Sequence, residues 1–420
     1  MSPSNVVIEQ VAAVPVVGGY FFDDQAAIQA GALKDGLRYV GPAVTPGFTQ
    51  VREPAEAVSV LMRLSDGSTV VGDCATVQYA GVAGREPRLH AVELAGQIER
   101  DLAPRLVGLA VSSFRDADRV VEAWCDELLT TPLAGAYGLS QALLAAAAGH
   151  GQMAWTVQAE WHLNEPLRSL PLYAQSGEDR RGNVDPMVLK GVDVLPHGLI
   201  NTPALVGEGG RELADYIRWV VARVAELGAP GYAPTLHFDV YGGVGAMAGG
   251  DLDRTVTILA RLEEAAGEHP IRIEHPIDAG SRDGQIEALT GIRHRLAARG
   301  SSLQIVADEW ANTGADIAAF AEAGAADLIQ VKTPDLGSVA RTVDAVLTCQ
   351  ANGIGVVLGG SCAETDVSAR ATTHIALATG ATQLLAKPGM GVDEPLMVVG
   401  NEMRRCVRLD ELRRAGGWGA

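Results

Sequence analysis

Two kinds of hydrophobic pattern divide the chain. In the first part, strand-like runs at 6–17 and 58–76 come before helical periodicity at 89–102, 116–129 and 139–148. Asp66-Gly67 lies between two short apolar runs and predicts a β-hairpin. Strands followed by helices predict an α+β domain, which we place at 1–165 and expect to cap the rest of the protein.

From about residue 170, short β-rich runs alternate with helical stretches. The eight runs are 171–175, 193–197, 235–239, 271–274, 303–308, 328–332, 355–359 and 383–387. The clearest helical stretches between them are 211–227, 252–265, 285–299 and 338–350. Such alternation predicts a parallel sheet that closes on itself. We therefore expect an α/β fold with a TIM-like (β/α) barrel at 166–411, capped by the first domain and followed by a tail at 412–420.

Carboxylates end three consecutive runs. Asp239, Glu274 and Asp308 follow one another at intervals of 35 and 34 residues, which is one strand–helix unit each time. The carboxyl ends of barrel strands meet at one face, so the three side chains should converge. Like charges at that distance repel, and a hard cation with oxygen ligands removes the repulsion. The pattern predicts Mg²⁺ or Mn²⁺ here, although acids after strands also serve as helix N-caps.

Two basic side chains end other runs of the predicted barrel. Lys332 ends the sixth run, with Gln330 on the same side of the strand, and His197 ends the second. Strands two and six lie half a circumference apart, so His197 and Lys332 should face each other across the barrel mouth. A lysine beside a divalent cation loses proton affinity, which suits a general base. The alternative is a structural ion pair of Lys332 with Asp308 or Asp335.

Hydrogen-bond donors are expected on the side that faces the metal. The Gly359-Gly360 turn lets backbone N–H groups approach an anion, and Ser361 and Gln175 add side-chain donors. A substrate with two carboxylates would place one on the metal and the other here. Cys362 is not expected to be a nucleophile, because no histidine follows it closely. No role is assigned to four other polar residues, which are Cys74, Gln78, His237 and His275. His237 is expected to lie one layer beneath the metal.

Charge and cysteine usage narrow the partners and the location. The net charge of −18 excludes nucleic acid as a partner. No lysine or arginine precedes Lys34, so we expect no secretory leader. The uncharged stretch 128–159 contains proline, glycine and polar residues, which favours a buried helical hairpin over a membrane span. Five scattered cysteines suggest a reducing cytoplasm without disulfides.

Segments in both parts of the chain resemble the 3-methylaspartate ammonia-lyase family of the enolase superfamily. The matching stretches are 72–79, 175–180, 193–201, 236–242, 273–276, 307–310, 330–334 and 359–366. The most specific are His197-Gly-Leu-Ile-Asn201 and Gln330-Val-Lys-Thr-Pro334 in this order. The resemblance covers most of the chain.

The resemblance implies a reaction and a role for each matching residue. The reaction is reversible loss of ammonia from 3-methylaspartate to give mesaconate, in a homodimer activated by K⁺. Lys332 would take the C3 proton of the L-threo substrate, and His197 would serve the opposite epimer. The Mg²⁺ ligands would be Asp239, Glu274 and Asp308. The residues that hold the substrate carboxylates would be Gln175, His197, Gln330, Ser361 and Cys362.

Three positions depart from the family pattern. Serine stands at 361 where threonine is usual, valine at 357 in place of tyrosine, and tyrosine at 173 in place of phenylalanine. Ser361 keeps the hydroxyl, so anion binding should survive. We expect Val357 and Tyr173 to line the pocket around the substrate methyl or amine group. The preferred 3-substituent and epimer therefore stay open.

Other functions remain possible on the sequence. A racemase or dehydratase of the same superfamily would share the metal site, on an amino or hydroxy dicarboxylate. A Schiff-base aldolase could use Lys332, although it leaves the three carboxylates unexplained. Gly243-Val-Gly245 resembles a dinucleotide-binding fingerprint, but Gly249-Gly250 interrupts the chain where its helix should continue.

Overall fold

The computed structural model describes residues 6–416 of the chain. Residues 1–5 of the predicted cap and 417–420 of the predicted tail lie outside this part. The strands are β1 (Val6–Asp23), β2 (Leu33–Asp35), β3 (Arg38–Val40), β4 (Arg52–Leu64), β5 (Thr69–Cys74), β6 (Ala110–Val111), β7 (Leu172–Tyr173), β8 (Val194–His197), β9 (Thr235–Asp239), β10 (Ile271–Glu274), β11 (Gln304–Ala307), β12 (Leu328–Val331), β13 (Gly355–Leu358) and β14 (Gln383–Leu385).

Helices alternate with the strands of the second half and follow those of the first. They are α1 (Gln25–Gln29), α2 (Ala91–Gln97), α3 (Ala103–Leu106), α4 (Phe114–Leu128), α5 (Pro132–Ala148), α6 (Met153–Glu160), α7 (Val184–Leu189), α8 (Pro203–Val206), α9 (Arg211–Leu227), α10 (Gly243–Met247), α11 (Leu252–Ala266), α12 (Arg282–Ala298), α13 (Gly314–Glu322), α14 (Thr333–Leu336), α15 (Val339–Ala351), α16 (Asp366–Thr379) and α17 (Asp393–Arg414). A π-helical turn, Ile98–Leu102, joins α2 to α3, and a 3₁₀ turn, Glu208–Gly210, precedes α9.

The N-terminal part is a four-stranded sheet covered by helices. Its strand order is β5-β4-β1-β6, and β4 pairs antiparallel with β5 around Asp66-Gly67, as the hairpin prediction required. Helix α5 packs directly on β5, where a Cβ on Gly138 would collide with the backbone of Cys74. The uncharged stretch forms α5 and α6. Among residues 6–416, no helix combines the length and apolar character that a membrane span requires.

The second part is a closed barrel of eight parallel strands, in the order β7-β8-β9-β10-β11-β12-β13-β14. Each of the eight predicted runs contains one of these strands, so the predicted fold is confirmed. The run 235–239 coincides with β9, and the helical stretch 211–227 coincides with α9. Periodicity succeeds here because each element buries one face or both, and burial selects apolar residues at the period of the element.

The sequence patterns did not predict the shortest strands and helices. Strands β2 and β3 have three residues each, β6 has two, and α1 and α10 have five. So few residues carry no recognisable period. Helix α10 contains Gly243 and Gly245 and packs against Ile277 behind the barrel rim. A closed barrel with a five-residue helix at this position contradicts the dinucleotide-binding alternative.

The barrel interior is filled in layers. Inward side chains of six strands form one apolar layer: Tyr173, Val194, Val306, Leu328, Val357 and Leu385. Above it the strand ends carry polar residues, and the cap closes the mouth. Arg52 of β4 donates to Glu178 in the loop after β7, and the backbone N–H of Gln78, in the loop after β5, donates to Ser361 in the loop after β13. The layered packing places the polar groups at the interface of cap and barrel.

Candidate active site

Three carboxylates converge at the ends of adjacent strands. Ligand oxygens of Asp239, Glu274 and Asp308 all lie within 4.8 Å of one another, and none of the three residues is more than 2% exposed. Burial raises the pKa of Asp239 and of Glu274 well above the ordinary range, and neighbouring carboxylates raise both further. A buried set of hard oxygen donors that repel one another fits a divalent cation such as Mg²⁺.

The backbone is strained where these strands end. His197, Tyr241, His275 and Trp310 adopt left-handed conformations, with φ of 67°, 46°, 49° and 72°. His197 is the last residue of β8, and the other three lie in the loops after β9, β10 and β11, just after the predicted metal ligands. Non-glycine residues pay a steric cost in this region, and such residues cluster at functional sites.

Two residues hold the carboxylate of Glu274. His237 Nε2 lies 2.8 Å from Glu274 Oε2, and Gln330 Nε2 donates to Oε1 at 3.2 Å. The ring of His237 stacks on Tyr173 with centroids 4.2 Å apart. Burial lowers the pKa of His237 well below its usual value, so the ring is neutral. His237 therefore lies beneath the carboxylates and orients one of them, as its position on β9 suggested.

Lys332 donates to Asp308 Oδ2 at 2.6 Å and also lines the cavity. The ion pair considered for this lysine is thus present, with Asp308 and not with Asp335. Burial and Arg85 lower the pKa of Lys332, but Asp308, Glu309 and Asp335 raise it more, and the net pKa lies above the ordinary value. In this arrangement three carboxylates outweigh burial and one arginine. The lowering predicted beside Mg²⁺ concerns the metal-bound state and stays a prediction.

His197 occupies another wall of the same cavity. Its Nε2 lies 3.6 Å from Asp239 Oδ2, and the backbone N–H of Leu199 donates to Nδ1 at 3.3 Å. Burial, followed by the charge of Lys332, lowers the pKa of His197 to about 3, so the ring is neutral. With Nδ1 accepting, the ring proton sits on Nε2. In this tautomer the Nε2–H of His197 faces the carboxylate side of the cavity.

The expected anion-binding side is only partly as predicted. Ser361 Oγ accepts from Gln78 N at 2.8 Å and from Ala363 N at 3.2 Å, which leaves its O–H as a donor. In the predicted Gly359-Gly360 turn, the N–H of Gly359 donates to Val331 O at 2.9 Å, and the following N–H of Ser361 donates to Glu364 Oε2 at 2.7 Å, so neither of these two groups is free for an anion. Gln175 Nε2 donates one hydrogen to Ala386 O at 3.3 Å and keeps the other.

The thiol of Cys362 is a packing and donor group. It donates to Gln78 Oε1 at 3.3 Å, and burial raises the pKa of this thiol well above its ordinary value. A nucleophilic role is therefore disfavoured, as predicted. Gln78 itself lines the cavity from the cap and donates to Asp23 at 2.7 Å. Cys74 does not reach the mouth, since it lies in the cap core 3.9 Å from Gly135 O.

Eight of the nine predicted site residues line one cavity. They are Gln175, His197, Asp239, Glu274, Gln330, Lys332, Ser361 and Cys362. The ninth, Asp308, lies beside Asp239 and Glu274. The eight cavity residues come from the ends of six strands, β7, β8, β9, β10, β12 and β13. With a cap loop they surround a space that has carboxylates on one side and neutral donors on the other.

Comparison with known proteins identifies the family. The family model described as Methylaspartate ammonia-lyase C-terminus matches residues 166–412, and the one described as Methylaspartate ammonia-lyase N-terminus matches 6–162. Methylaspartate ammonia-lyase 1 of Carboxydothermus hydrogenoformans is 47% identical over 405 residues, which is 96% of each chain. This chain belongs to the methylaspartate ammonia-lyase family.

Solved structures of relatives agree with this assignment. The methylaspartate ammonia lyase of Citrobacter amalonaticus containing (2S,3S)-3-methylaspartic acid has a TM-score of 0.93 and 44% identity, covering 96% of this chain and 100% of that one. The Mg complex of β-methylaspartase from Clostridium tetanomorphum has a TM-score of 0.89 and 42% identity, covering 97% and 100%. A muconate lactonizing enzyme of Pseudomonas fluorescens, at 17% identity and a TM-score of 0.61, shares the fold.

Arg85 is a site residue that sequence reasoning missed. It lies in the cap loop between β5 and α2 and donates to Asp308 at 3.0 Å, Glu309 at 3.2 Å and Asp335 at 2.8 Å. Its side chain is 1% exposed. His275 Nδ1 lies 3.2 Å from Glu309, so this histidine belongs to the same charged cluster. A single arginine in an irregular glycine-rich loop carries no pattern that could have marked it.

Tyr173 and Val357 do not line the substrate cavity, contrary to expectation. They belong to the apolar layer beneath it, where Tyr173 stacks on His237. Both occupy inward positions of their strands, but one residue pair deeper than Gln175 and Gly359. Tyr173 therefore supports the metal site through His237, and Val357 packs in the apolar layer below the cavity.

A second group of potential metal ligands lies outside the barrel. His374 of α16 and Glu402 and Cys406 of α17 place one ligand atom each within 4.8 Å of the others. Arg370 and Arg405 already pair with Glu402 at 3.1 and 3.3 Å. Two arginines already neutralise the Glu402 carboxylate and would repel a metal ion. We therefore interpret this group as a structural contact between α16 and α17.

Proposed function

We propose that the protein eliminates ammonia from L-threo-3-methylaspartate to give mesaconate, reversibly and with Mg²⁺. The observation that carries this proposal is the convergence of Asp239, Glu274 and Asp308 in the cavity that Lys332 and His197 also line. The relative from Citrobacter was solved with (2S,3S)-3-methylaspartic acid and the one from Clostridium with Mg. Both support the same substrate and metal here.

The carboxylate triad is the proposed Mg²⁺ site. Bound there, the ion supplies positive charge that stabilises the charge developing on a substrate carboxylate when the adjacent C–H is deprotonated. Gln330 and His197 are placed to hold that carboxylate. The Nε2–H of His197 faces this side of the cavity, and the Nε2 amide of Gln330, which gives one hydrogen to Glu274 Oε1, has a second hydrogen to donate.

Lys332 is the proposed base for the C3 proton. It must be neutral to accept that proton, whereas its contact with Asp308 favours the ammonium form. When Asp308 serves as a metal ligand, this contact no longer raises the pKa of Lys332. Arg85, whose guanidinium shares Asp308 with the lysine, lowers the pKa further.

The other side of the cavity holds the carboxylate beside the amine. Gln175 has one amide hydrogen with no acceptor among residues 6–416, Ser361 has its hydroxyl, and the backbone of Cys362 completes the set. These donors are neutral and buried, so they can hydrogen-bond to a carboxylate. They are also too weakly acidic to protonate Lys332. The leaving amine would then depart as ammonia from the carbon next to this pocket.

Several finer properties follow from the family resemblance and remain proposals. We infer that Mn²⁺ can replace Mg²⁺, that K⁺ activates the enzyme, and that it works as a cytoplasmic homodimer in amino-acid catabolism such as glutamate degradation. His197 would serve as base for the opposite epimer. Since its proton sits on Nε2, that role requires the other tautomer.

Ammonia release from a panel of 2-aminodicarboxylates, with and without Mg²⁺, tests the activity. We expect 3-methylaspartate to be the best substrate, mesaconate to accumulate in parallel, and EDTA to stop the reaction. Racemisation or water loss without ammonia would point to a sibling activity. EDTA-resistant turnover together with borohydride trapping on Lys332 would favour the aldolase.

Variants at the two basic residues test their roles. Lys332→Ala should lower kcat on the L-threo substrate by about 10²–10⁴-fold, because a positioned proton acceptor is lost. Lys190→Ala is the matched control, since Lys190 is half exposed on the outer surface. His197→Ala should harm the erythro epimer most. Wild-type turnover by Lys332→Ala would overturn the assigned base.

A further inference from the structure

We propose that Gln383, deep in the barrel, positions the metal ligand Glu274 by determining which nitrogen of His237 carries the ring proton. The inference rests on the proposed function only in taking Glu274 as a ligand. Gln383, His237 and Glu274 come from β14, β9 and β10, and each is at most 1% exposed. Gln383 does not line the substrate cavity, so its effect must pass through His237.

The orientation of the Gln383 amide follows from a group that can only donate. Arg272 on β10 donates from Nη1 to Gln383 Oε1 and from Nε to Gln304 Oε1 at 2.9 Å. A guanidinium has no acceptor, so the amide oxygen must face Arg272. The amide nitrogen therefore faces the other way, toward His237 Nδ1 at 3.0 Å.

The tautomer of His237 follows in the same way. An amide NH₂ only donates, so Nδ1 of His237 accepts and carries no proton. The neutral ring then has its proton on Nε2, 2.8 Å from Glu274 Oε2, where it donates to the carboxylate. The opposite tautomer would place a bare ring nitrogen against a carboxylate and an N–H against an NH₂. Both contacts would be repulsive, and the burial of all three groups would strengthen the repulsion.

This chain of bonds holds Glu274 in one arrangement. The Nε2–H of His237 occupies Oε2, Gln330 occupies Oε1, and the stack on Tyr173 fixes the plane of the imidazole ring. The remaining lone pairs of Glu274 are then left for the shared cation. Residues that orient a metal ligand in this way commonly change metal affinity when they are replaced.

Mg²⁺ binding in the absence of substrate tests the consequence. Gln383→Met keeps the length of the side chain but removes both its donor and its acceptor, and should weaken Mg²⁺ binding about 10–100-fold by titration calorimetry. Gln304→Met is the matched control. It removes the other acceptor of Arg272 and leaves the Gln383–His237 bond intact, so its Mg²⁺ affinity should stay close to that of wild type. Wild-type affinity in Gln383→Met, or an equal loss in both variants, would overturn the proposal.

The tautomer itself can be read from nitrogen spectra of the full-length protein labelled with ¹⁵N-histidine. The signals of His237, assigned by their loss in His237→Asn, should show a bare Nδ1 and a protonated Nε2. Gln383→Glu presents only acceptors to the ring, so a proton should appear on Nδ1. A protonated Nδ1 in wild type would refute the inference whether or not the Gln383 variants fold. These measurements need no substrate. Inactivity toward 3-methylaspartate would therefore refute the proposed function without contradicting this inference.

Discussion

Replacing Arg85 by methionine should destabilise the protein strongly. The side chain is buried between three carboxylates of the barrel, which it contacts at 2.8 to 3.2 Å. Methionine keeps much of the apolar volume and removes the charge. After the change, Asp308 still has Lys332 at 2.6 Å and Glu309 still has His275 at 3.2 Å. In residues 6–416, Asp335 keeps no cation within ion-pair distance.

The size of the effect follows from that count. Removing one partner of a buried ion pair typically costs about 3–5 kcal/mol, because the other charge is left without compensation. Asp335 is left with no cation and Glu309 with only the ring nitrogen of His275, so we expect a loss of at least about 3 kcal/mol, which is roughly a 10²-fold change in the unfolding equilibrium. The loss should be smaller at pH 5 than at pH 8. Burial raises the pKa of Asp335 in the folded protein even with Arg85 beside it, and loss of Arg85 raises that pKa further. The extra penalty therefore appears as pH rises above the folded wild-type pKa of Asp335.

Urea unfolding in EDTA, followed by fluorescence and far-ultraviolet circular dichroism, measures this free energy. Arg341→Met is the control, because Arg341 pairs with Glu122 and Asp126 at 3.2 and 3.5 Å but is 36% exposed. Such a pair is worth about 1 kcal/mol at most. If Arg85→Met and Arg341→Met lost the same free energy at both pH values, the argument from buried charge would be refuted.

Three further changes probe the metal site and its support. Asp239→Asn should abolish most of the stabilisation by Mg²⁺, which is about 2.7 kcal/mol for wild type at an ion concentration 100 times Kd, as read from unfolding with and without the ion. Lys387→Met should cost about 3–5 kcal/mol, because it leaves Glu364 buried and unpaired, and adding Glu364→Gln should restore part of that loss. Gly360→Ala should raise KM, because φ is 136° at this position and the new Cβ would collide with Lys387 and Glu364. The collision would displace the turn that carries Ser361. An unchanged KM would argue against a binding role for this turn.

The barrel and the carboxylate triad were predictable because they depend on short-range pattern. The three strands that precede Asp239, Glu274 and Asp308 are buried, and each is followed by its carboxylate at the carboxyl end. The strand–helix units between these carboxylates have nearly the same number of residues. Closure of the barrel then brings the ends together whatever the loops contain. The same reasoning placed His197 and Lys332 in the cavity.

The failed expectations concern depth and loop position. Tyr173 and Val357 were placed beside the substrate, yet they lie in the layer below, since inward orientation on a strand does not tell how far a residue is from the rim. Arg85 is set by the path of a cap loop, and Gln383 by the register of β14 against β13. Local hydrophobic periodicity predicts neither the path of a loop nor the register between two strands.

The sequence alone determined the order of the elements, the closed parallel barrel and the meeting of three acids at its mouth, because these follow from which residues are apolar and how regularly they recur. Only the tertiary structure decided the charge of Lys332, the proton position on His197 and His237, and the clamp of Arg85 on the barrel. Those properties depend on groups from distant segments brought within hydrogen-bond distance in a dry interior, where each new neighbour changes the balance.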